Sequence, residues 1–544
     1  MAASLKTLAA PENRPALFAL AFLAAFYLPA FGAPFVWDDL GWILFNSALD
    51  RPLPLSGYFS DAYFRLSGET TWRPLTTAVY NGLTLAFGKS PWAFRGFGLL
   101  LHLLAGGLLL RLLTGSGLAR GGALLGTALF LVHPAHVETL MCASFDEELL
   151  AACGVLSAIL SHRAGRQGLA AGFVLLGLLS KETALAAIPL ILLDDFCRRG
   201  SFGLRRGLPS YAVYAATALA FAWFAVFGLS APGLGAKAAV PLPDRLGFCL
   251  QGLWAFVRVQ VLPVGLRIEY FALPASGPET LVLVLFAALL VAGTGLFLRR
   301  IWRAPEDRPL ALLLAWPFLF WLGISGAVPA GMLSTRLMAE RWLYLPLLGA
   351  CGLAAWGLQR RPRLAAAVLA LLAVFTAVRV HDWTDERRLW SSLVQRYPLS
   401  AKAHEGLGDA QVRYKNFGPA LASYEEALRL REERRDPVLA YYVPISAGHL
   451  NWQSPSLRRS LGAAYIREGG LDQAGRHLRK AVELAPDDPY AYRLLSYIGC
   501  LEDRFQEGLT WAEAGLSKNP DDDILLRLQD ASRKRRLDFR LKLD

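Results

Sequence analysis

Cysteine and charge are both scarce in this chain, and each shortage excludes a class of protein. The six cysteines stand singly among 544 residues, at Cys142, Cys153, Cys197, Cys249, Cys351 and Cys500. No Cys-x-x-Cys pair occurs, so the sequence predicts neither a zinc site nor a disulfide framework. Charged residues make up 18% and hydrophobic residues 54%, and the mean hydropathy is +0.35. This balance predicts that most of the chain lies in lipid.

The net charge of +12 is concentrated in a few short loops between apolar runs. The arginines that carry most of it are Arg198, Arg199, Arg205, Arg206, Arg299, Arg300, Arg303, Arg308, Arg360, Arg361 and Arg363. Short basic loops of this kind are typical of the cytoplasmic connections of a membrane protein. The charge therefore does not predict nucleic-acid binding.

Eleven apolar runs are long enough to predict membrane spans. They lie near 15–34, 92–113, 118–136, 147–162, 166–180, 183–197, 208–229, 279–298, 309–329, 341–358 and 362–380. Alternation from a cytoplasmic N-terminus puts the basic loops inside and the acidic stretches outside. The polar-interrupted run 246–262 is predicted as an interfacial or re-entrant helix, because a span there would put the 299–308 loop outside.

The sequence thus predicts a membrane domain over residues 1–380, with external loops at 35–91 and 230–278. From about His381 the chain becomes charged and repetitive, and residues 381–544 are predicted as a second, external domain. Leu461, Gly462, Tyr465, Ala474 and Pro486 fit the tetratricopeptide template, and Pro520 follows Pro486 by the 34 residues of one unit. The predicted fold class is all-α: a polytopic protein of about eleven transmembrane helices followed by an α-solenoid.

Two adjacent carboxylates, Asp38 and Asp39, follow the first apolar run directly. An acidic pair at the edge of the hydrocarbon is costly to desolvate unless it has partners or a function. Such a pair also repels, which raises one of the two pKa values.

Several strings, in order, resemble the transmembrane and tetratricopeptide-repeat O-mannosyltransferases and their bacterial relatives. These strings are Phe35–Asp39 with Asn46, Trp72–Thr76, His133–Glu138, Ser180–Glu182, Glu340–Pro346 and His381–Glu386. The resemblance covers nearly the whole chain. One departure is Ser144–Glu148, which is acidic where the relatives usually carry a basic residue.

The resemblance implies the GT-C architecture, in which a lipid-linked sugar is used from the external face. Asp38 or Asp39 is then expected to act as the general base that deprotonates the acceptor hydroxyl. The cations Arg73, Lys181 and Arg341 are expected to meet the donor phosphate. Glu182 and Glu340 adjoin two of these cations and are expected to hold them in place.

The same strings assign His133, His136, Glu138 and Tyr344 to the donor site. Two histidines and a glutamate at short spacing could bind a divalent ion, but no second cluster completes the shell. Hydrogen bonding to phosphate or sugar, or fixing of the loop, is the favoured role. No cofactor other than the lipid-linked donor is predicted.

The leading hypothesis is an integral-membrane, inverting glycosyltransferase that moves a sugar, with mannose expected, from a polyprenyl phosphate to a protein hydroxyl outside the cytoplasm. The repeats would recruit the acceptor protein. The alternatives are the same chemistry on a glycan or lipid, a non-catalytic membrane scaffold, and a transporter. The expected location is a bacterial inner membrane, with the repeats in the periplasm.

Overall fold

The structure is a computed structural model in which almost all described residues are helical or connect helices. The described residues are 25–61, 63–64, 71–199, 204–227, 229, 242–271, 276–304, 307–325, 336–442 and 453–541. They form two compact units, of which the second begins at Glu386. Half of the predicted first span, 15–34, and part of the predicted external loop 230–278 lie outside the described residues.

The first unit contains fourteen α-helices among its described residues. They are α1 Leu55–Tyr58, α2 Pro74–Phe87, α3 Pro91–Thr114, α4 Arg120–Leu131, α5 Val137–Met141, α6 Asp146–Arg163, α7 Gln167–Ser180, α8 Ala187–Arg199, α9 Leu204–Phe227, α10 Leu242–Val261, α11 Gly277–Arg303, α12 Pro309–Ile324, α13 Tyr344–Leu358 and α14 Pro362–Trp383. Two short strands, β1 Tyr270–Phe271 and β2 Arg336–Met338, pair antiparallel and are a small departure from the predicted all-α fold.

The described residues contain fewer long apolar helices than the eleven predicted spans. Among the described residues, four helices are long and apolar enough to cross a membrane, namely Pro91–Thr114, Gly207–Ala225, Gly277–Arg303 and Pro362–Trp383. The pair Arg120–Leu131 and Pro134–Met141 adds a fifth if its 46° bend lies within one span. The chain is therefore a membrane protein, but its apolar runs are not all single long helices.

The difference arises because several apolar runs fold as short or broken helices. The predicted run 118–136 bends at His133-Pro134, since proline cannot donate the backbone hydrogen bond that would continue the helix. The run 341–358 begins with a 3₁₀ turn, Glu340–Leu343, and the α-helix starts only at Tyr344. Hydropathy alone does not reveal these breaks, which lie beside the charged residues described below.

Helix α6 packs closely on α7. A Cβ atom on Gly154 would lie 2.9 Å from Cα of Gly177, so two glycines allow the helices to touch through their backbones. The first turn of α6 carries Asp146, Glu147 and Glu148, all buried. Its last turn carries His162, which contacts Asp195 of α8 at 2.9 Å.

The second unit contains nine α-helices among its described residues. They are α15 Glu386–Arg396, α16 Ala401–Arg413, α17 Phe417–Glu432, α18 Pro437–Tyr442, α19 Pro455–Arg467, α20 Leu471–Leu484, α21 Pro489–Leu501, α22 Phe505–Leu516 and α23 Asp523–Arg533. Helices α19, α21 and α23 begin 34 residues apart, which is the period of a tetratricopeptide repeat.

A repeated polar contact ties successive repeats together. Asp488 and Asp522 cap α21 and α23 through their side chains. Each also pairs with an arginine of the preceding repeat, Asp488 with Arg459 at 2.5 Å and Asp522 with Arg493 at 2.6 Å. Both the aspartates and the arginines are 34 residues apart, so one interaction recurs along the solenoid.

Replacement of Gly499 by Ala is expected to destabilise the repeats. A Cβ atom at Gly499 would lie 2.6 Å from the backbone nitrogen of Gly508 on α22, and backbone atoms cannot move aside as a side chain can. Overpacking of this kind costs about 1–3 kcal/mol in the free energy of unfolding. Thermal unfolding of the full chain in detergent, followed by circular dichroism, measures the loss. Gly418→Ala is the control, because nothing lies within 4 Å of its added Cβ; equal stability of the two variants would contradict the expectation.

Candidate active site

The two adjacent aspartates have different environments. Asp39 is fully buried and accepts hydrogen bonds from the backbone N–H groups of Ser144 at 2.8 Å and Val36 at 3.4 Å. The Cys142 thiol also donates to it, at 3.4 Å. Burial raises the pKa of Asp39, although the charge of Arg95 and these hydrogen bonds oppose the rise. Asp39 therefore fastens the 36–39 loop to the 142–144 turn.

Arg95, inside the apolar helix α3, joins the residues that immediately precede these two segments. Its guanidinium donates to the carbonyl oxygens of Ala30, Ala33 and Pro34, and to that of Met141 at 2.9 Å. Sequence reasoning missed Arg95, although a charged residue inside an apolar run is itself a signal that partners are present.

Asp38 is half-buried and lies in the electrostatic field of Arg341. Arg341 forms a buried ion pair with Glu138 and lies over the Phe145 ring at 4.2 Å. The Trp37 ring is 5.5 Å from the same guanidinium carbon. Burial lowers the pKa of Arg341, but the carboxylates of Glu138 and Asp38 outweigh that effect and raise it. We refer to Trp37, Asp38, Glu138, Phe145 and Arg341 as the Arg341 cluster.

Trp37 has a backbone conformation that large residues rarely adopt. Its φ of 51° lies in the left-handed region, which favours glycine. Its ring contacts Phe145, at a centroid distance of 5.9 Å, and Trp383, at 6.3 Å. Strained residues persist where the surrounding structure holds them, and they occur often at functional sites. Here the strain lies immediately before Asp38.

Glu340 joins the Arg341 cluster to the end of α14 and to β1. Its backbone N–H donates to Glu138 at 3.1 Å, and its carboxylate accepts from Arg379 at 3.1 Å and from the Tyr270 hydroxyl at 3.1 Å. Burial raises the pKa of Glu340 to about 7, although Arg379 opposes the rise. Arg379 and Tyr270 were not among the predicted site residues: Arg379 lies just before the His381–Glu386 string but outside it, and Tyr270 lies far along the chain from every string.

A second network, which we call the Arg73 cluster, comprises Arg73, Glu147, Glu148, Lys181 and Glu182. Arg73 donates to Glu147 and, through Nε and Nη2, to Glu182. Lys181 donates to Glu147 at 2.7 Å and to Glu148 at 2.5 Å. Burial lowers the pKa of Lys181, but Glu147 and Glu148 outweigh that effect and raise it. The acidic first turn of α6 therefore forms ion pairs with both Arg73 and Lys181.

These pairings correct the expectation that Glu182 and Glu340 hold the cations next to them in the sequence. Glu182 pairs directly with Arg73, and Glu340 pairs with Arg379. Both glutamates begin 3₁₀ turns, and neighbouring side chains there point in different directions. The partner of each acid is therefore set by tertiary packing.

His136 and Tyr344 lie in an aromatic group with Phe130 and His102. The His136 ring lies 4.5 Å from that of Phe130 and 4.7 Å from that of Tyr344, and the Tyr344 hydroxyl is 2.8 Å from Nδ1 of His102. His133 instead accepts from the Ala135 N–H at 3.3 Å and fixes the break between α4 and α5. In the part of the chain that the structure describes, no group of three or more His, Cys, Asp or Glu residues could hold a metal ion.

The curated proteins that the chain resembles share one name. The chain is 30% identical to protein O-mannosyl-transferase Tmtc2 of Drosophila melanogaster over 201 residues, which are 34% of this chain and 21% of that protein. It is 24% identical to TMTC3 of Mus musculus over 573 residues (86% and 60%) and 25% identical to TMTC4 of Homo sapiens over 461 residues (70% and 61%).

The chain is similar to the protein O-mannosyl-transferases. It spans about a fifth of the length of the fly protein and about three fifths of the mammalian ones. No family model matches the chain. A crystal structure of the APC/C hetero-tetramer Cut9-Hcn1 aligns with 87% of this chain and 91% of that one, but at 12% identity and a TM-score of 0.24, which supports no argument.

The structure thus brings the predicted residues into three groups. Asp38, Glu138 and Arg341 meet in the Arg341 cluster, with Glu340 attached to it. Arg73, Lys181 and Glu182 meet in the Arg73 cluster, and His136 and Tyr344 pack together. Asp39 is separated from its neighbour Asp38 by its role in fastening the loop. The catalytic and donor-binding roles of all these residues remain predictions.

Proposed function

We propose that the chain is a membrane glycosyltransferase that moves mannose from a polyprenyl-phosphate donor to a hydroxyl of a protein acceptor, with inversion at the sugar. The observation that carries this proposal is the half-buried Asp38 beside the Arg341–Glu138 ion pair, within a set of aromatic rings. The similarity to protein O-mannosyl-transferases supports the sugar and the class of acceptor.

In the proposed reaction, Asp38 accepts the proton of the acceptor hydroxyl as its oxygen attacks the anomeric carbon. The bond between that carbon and the phosphate oxygen breaks from the opposite face, and the electron pair leaves with the phosphate. The phosphate gains one negative charge, which Arg341 stabilises as a forked hydrogen-bond donor. Glu138 keeps the guanidinium oriented, because their ion pair is buried.

Asp38 is a better candidate than Asp39 for the base. Asp39 is fully buried and accepts three hydrogen bonds from protein groups, so a substrate hydroxyl would have to displace one of them. Asp38 is half-buried. We therefore assign the proton transfer to Asp38 and the support of its loop to Asp39.

We further propose a GT-C-like membrane domain over about residues 1–380, with the active site and the repeats of 381–544 outside the cytoplasm, as in a bacterial inner membrane. The repeats would then recruit the acceptor, because stacked helix pairs form an extended surface for protein partners. The same chemistry on a glycan or lipid is the closest alternative.

A non-catalytic scaffold is a second candidate, and one observation favours it. Arg73, Lys181 and Arg341 are all already paired with carboxylates of the chain itself. A protein that had lost its donor would need no cation ready for a phosphate.

Sugar transfer by the purified full chain separates these functions. The measurement uses labelled polyprenyl-phosphate mannose in detergent, with acceptor peptides, glycans and lipids in separate reactions. Transfer to peptides is the expected result, and transfer only to glycans or lipids would select the alternative acceptor. Absence of transfer across a panel of lipid-linked sugars would favour the scaffold.

A further inference from the structure

Asp38 lies between two residues that are each held by distant parts of the chain. On one side, Asp39 is fastened to the 142–144 turn by the hydrogen bonds described above. On the other side, the backbone of Trp37 is in the left-handed region, at a φ of 51°. A large residue is strained there and stays only where other contacts hold it. The position of Asp38 therefore depends on what holds Trp37.

The ring of Trp37 is held from two directions. Phe145, which follows the 142–144 turn, meets it edge to face at a centroid distance of 5.9 Å. Trp383, the last residue of α14, meets it at 6.3 Å with the ring planes 41° apart. Aromatic rings at these distances attract one another. Phe145 belongs to the segment that also holds Asp39, whereas Trp383 is a second support from a different helix.

Trp383 is itself held in place. It is fully buried, and the guanidinium carbon of Arg379 lies 5.6 Å from the centre of its ring. Arg379 pairs with Glu340, whose backbone N–H donates to Glu138 of the Arg341 cluster. Nε1 of Trp383 is buried and has no hydrogen-bond partner among the described residues. The indole ring of Trp383 therefore acts through packing and not through a hydrogen bond.

We propose that Trp383 is a positioning residue, whose ring keeps Trp37 in the strained conformation that presents Asp38 to the acceptor hydroxyl. The inference rests on the proposed function for the role of Asp38, and it adds a residue that acts on this base through another side chain. Without the Trp383 ring, the backbone of Trp37 can relax to a negative φ, and the carboxylate that follows it moves. Displacement of a reacting group by about 1 Å can cost about 10²-fold in rate.

Hydrogen exchange in the full chain in detergent tests this support without sugar transfer. The N–H groups of Asp39 and Leu40 donate to the carbonyl oxygens of Val36 and Trp37, so their exchange reports on the loop. Trp383→Leu should speed this exchange about tenfold. Trp383→Phe keeps a ring and should stay close to the unmodified chain. Unchanged exchange in the leucine variant, or equally fast exchange in the phenylalanine variant, would overturn the inference.

Transfer kinetics measure the consequence for the base. Trp383→Leu should lower kcat about 10- to 100-fold with little change in the KM for the acceptor, because the substrate contacts stay the same. Trp356→Leu is the control, since the Trp356 ring packs on Phe297 of α11 at 6.0 Å, and it should change neither kcat nor the exchange of the loop. An unchanged kcat in the active, folded Trp383→Leu variant would overturn the inference.

A double-mutant cycle shows whether Trp383 acts through Trp37. Trp37→Leu removes the other ring of the same contact, so adding Trp383→Leu to it should change exchange and kcat little further. Effects that add in full would mean independent roles and would overturn the inference. Should Trp383→Leu not fold, Trp383→Met replaces it with the same expectations, because methionine fills irregular gaps in a core.

The two readouts separate this inference from the proposed function. If the unmodified chain shows no transfer but Trp383→Leu speeds exchange of the loop, the proposed function fails and the support of the loop by Trp383 stands. If the unmodified chain transfers sugar but exchange is unchanged in Trp383→Leu, the function stands and the positioning role fails.

Discussion

Replacement of Asp38 by Asn is expected to lower the rate of sugar transfer by about 10²- to 10⁴-fold, the range that a general base contributes. The amide has nearly the shape of the carboxylate but cannot accept the proton of the acceptor hydroxyl. Because Asp38 is half-buried, the thermal stability of the variant should stay close to that of the unmodified chain. Single-turnover transfer from labelled polyprenyl-phosphate mannose measures the chemical step directly.

Asp39→Asn provides the matched control, because it makes the same chemical change one residue away. Its main expected effect is a loss of thermal stability, since Asp39 accepts from Ser144, Val36 and Cys142. Transfer should persist in whatever fraction remains folded. A folded Asp39→Asn variant without transfer, together with an active Asp38→Asn variant, would exchange the two assignments.

Replacement of Arg379 by Leu is expected to lower the free energy of unfolding by about 3–5 kcal/mol, the usual cost of removing one partner of a buried ion pair. Arg379 and Glu340 are both buried, and their side chains meet at 3.1 Å. Arg363→Leu is the control, because Arg363 lies exposed in the first turn of the same helix, where substitutions usually change stability by less than about 0.5 kcal/mol. Thermal or denaturant unfolding in detergent measures both.

The loss of stability caused by Arg379→Leu should increase with pH. Burial raises the pKa of Glu340 to about 7, and Arg379 is the group that holds it down. An acid whose pKa is raised in the folded state loses stability as the pH rises from its unfolded value towards its folded value. Without Arg379 the folded pKa rises further, so the variant keeps losing stability above pH 7, where the unmodified chain levels off. A difference between the two proteins that is constant from pH 6 to pH 8 would contradict this explanation.

The repeats were the part of the fold most accessible from sequence. Their signal is local: the period of 34 residues is counted directly from Pro486 to Pro520, and α19, α21 and α23 begin with that period. The spans were less accessible, because hydropathy measures composition and not helix continuity. The break at His133-Pro134 and the 3₁₀ turn at Glu340 interrupt runs that look uniform on that scale.

In the site, the sequence indicated the residues better than their partners. Glu138 and Arg341 were both named, but their ion pair joins positions 203 residues apart, and no local pattern encodes such a pairing. Likewise the acidic stretch 144–148 differs from the expected basic pattern in the sequence. Its ion pairs with Arg73 and Lys181 depend on the packing of three elements, which the sequence does not show. Arg95 is different, because its isolation in an apolar run could have identified it from sequence.

The guanidinium of Arg95 also bears on how the protein is made. It donates to carbonyl oxygens of residues 30–34, which are synthesised before Arg95. It also donates to the carbonyl oxygen of Met141, which follows Arg95 by 46 residues. A nascent helix that enters the bilayer with an unsatisfied arginine is unfavourable. Residues 30–34 are therefore expected to bind Arg95 as soon as it is synthesised. Completion of this contact must then wait for α5, the helix that carries both Met141 and Glu138. The order of translation therefore favours an order of assembly. The 36–39 loop comes first and Glu138 later, and both assemble against α3.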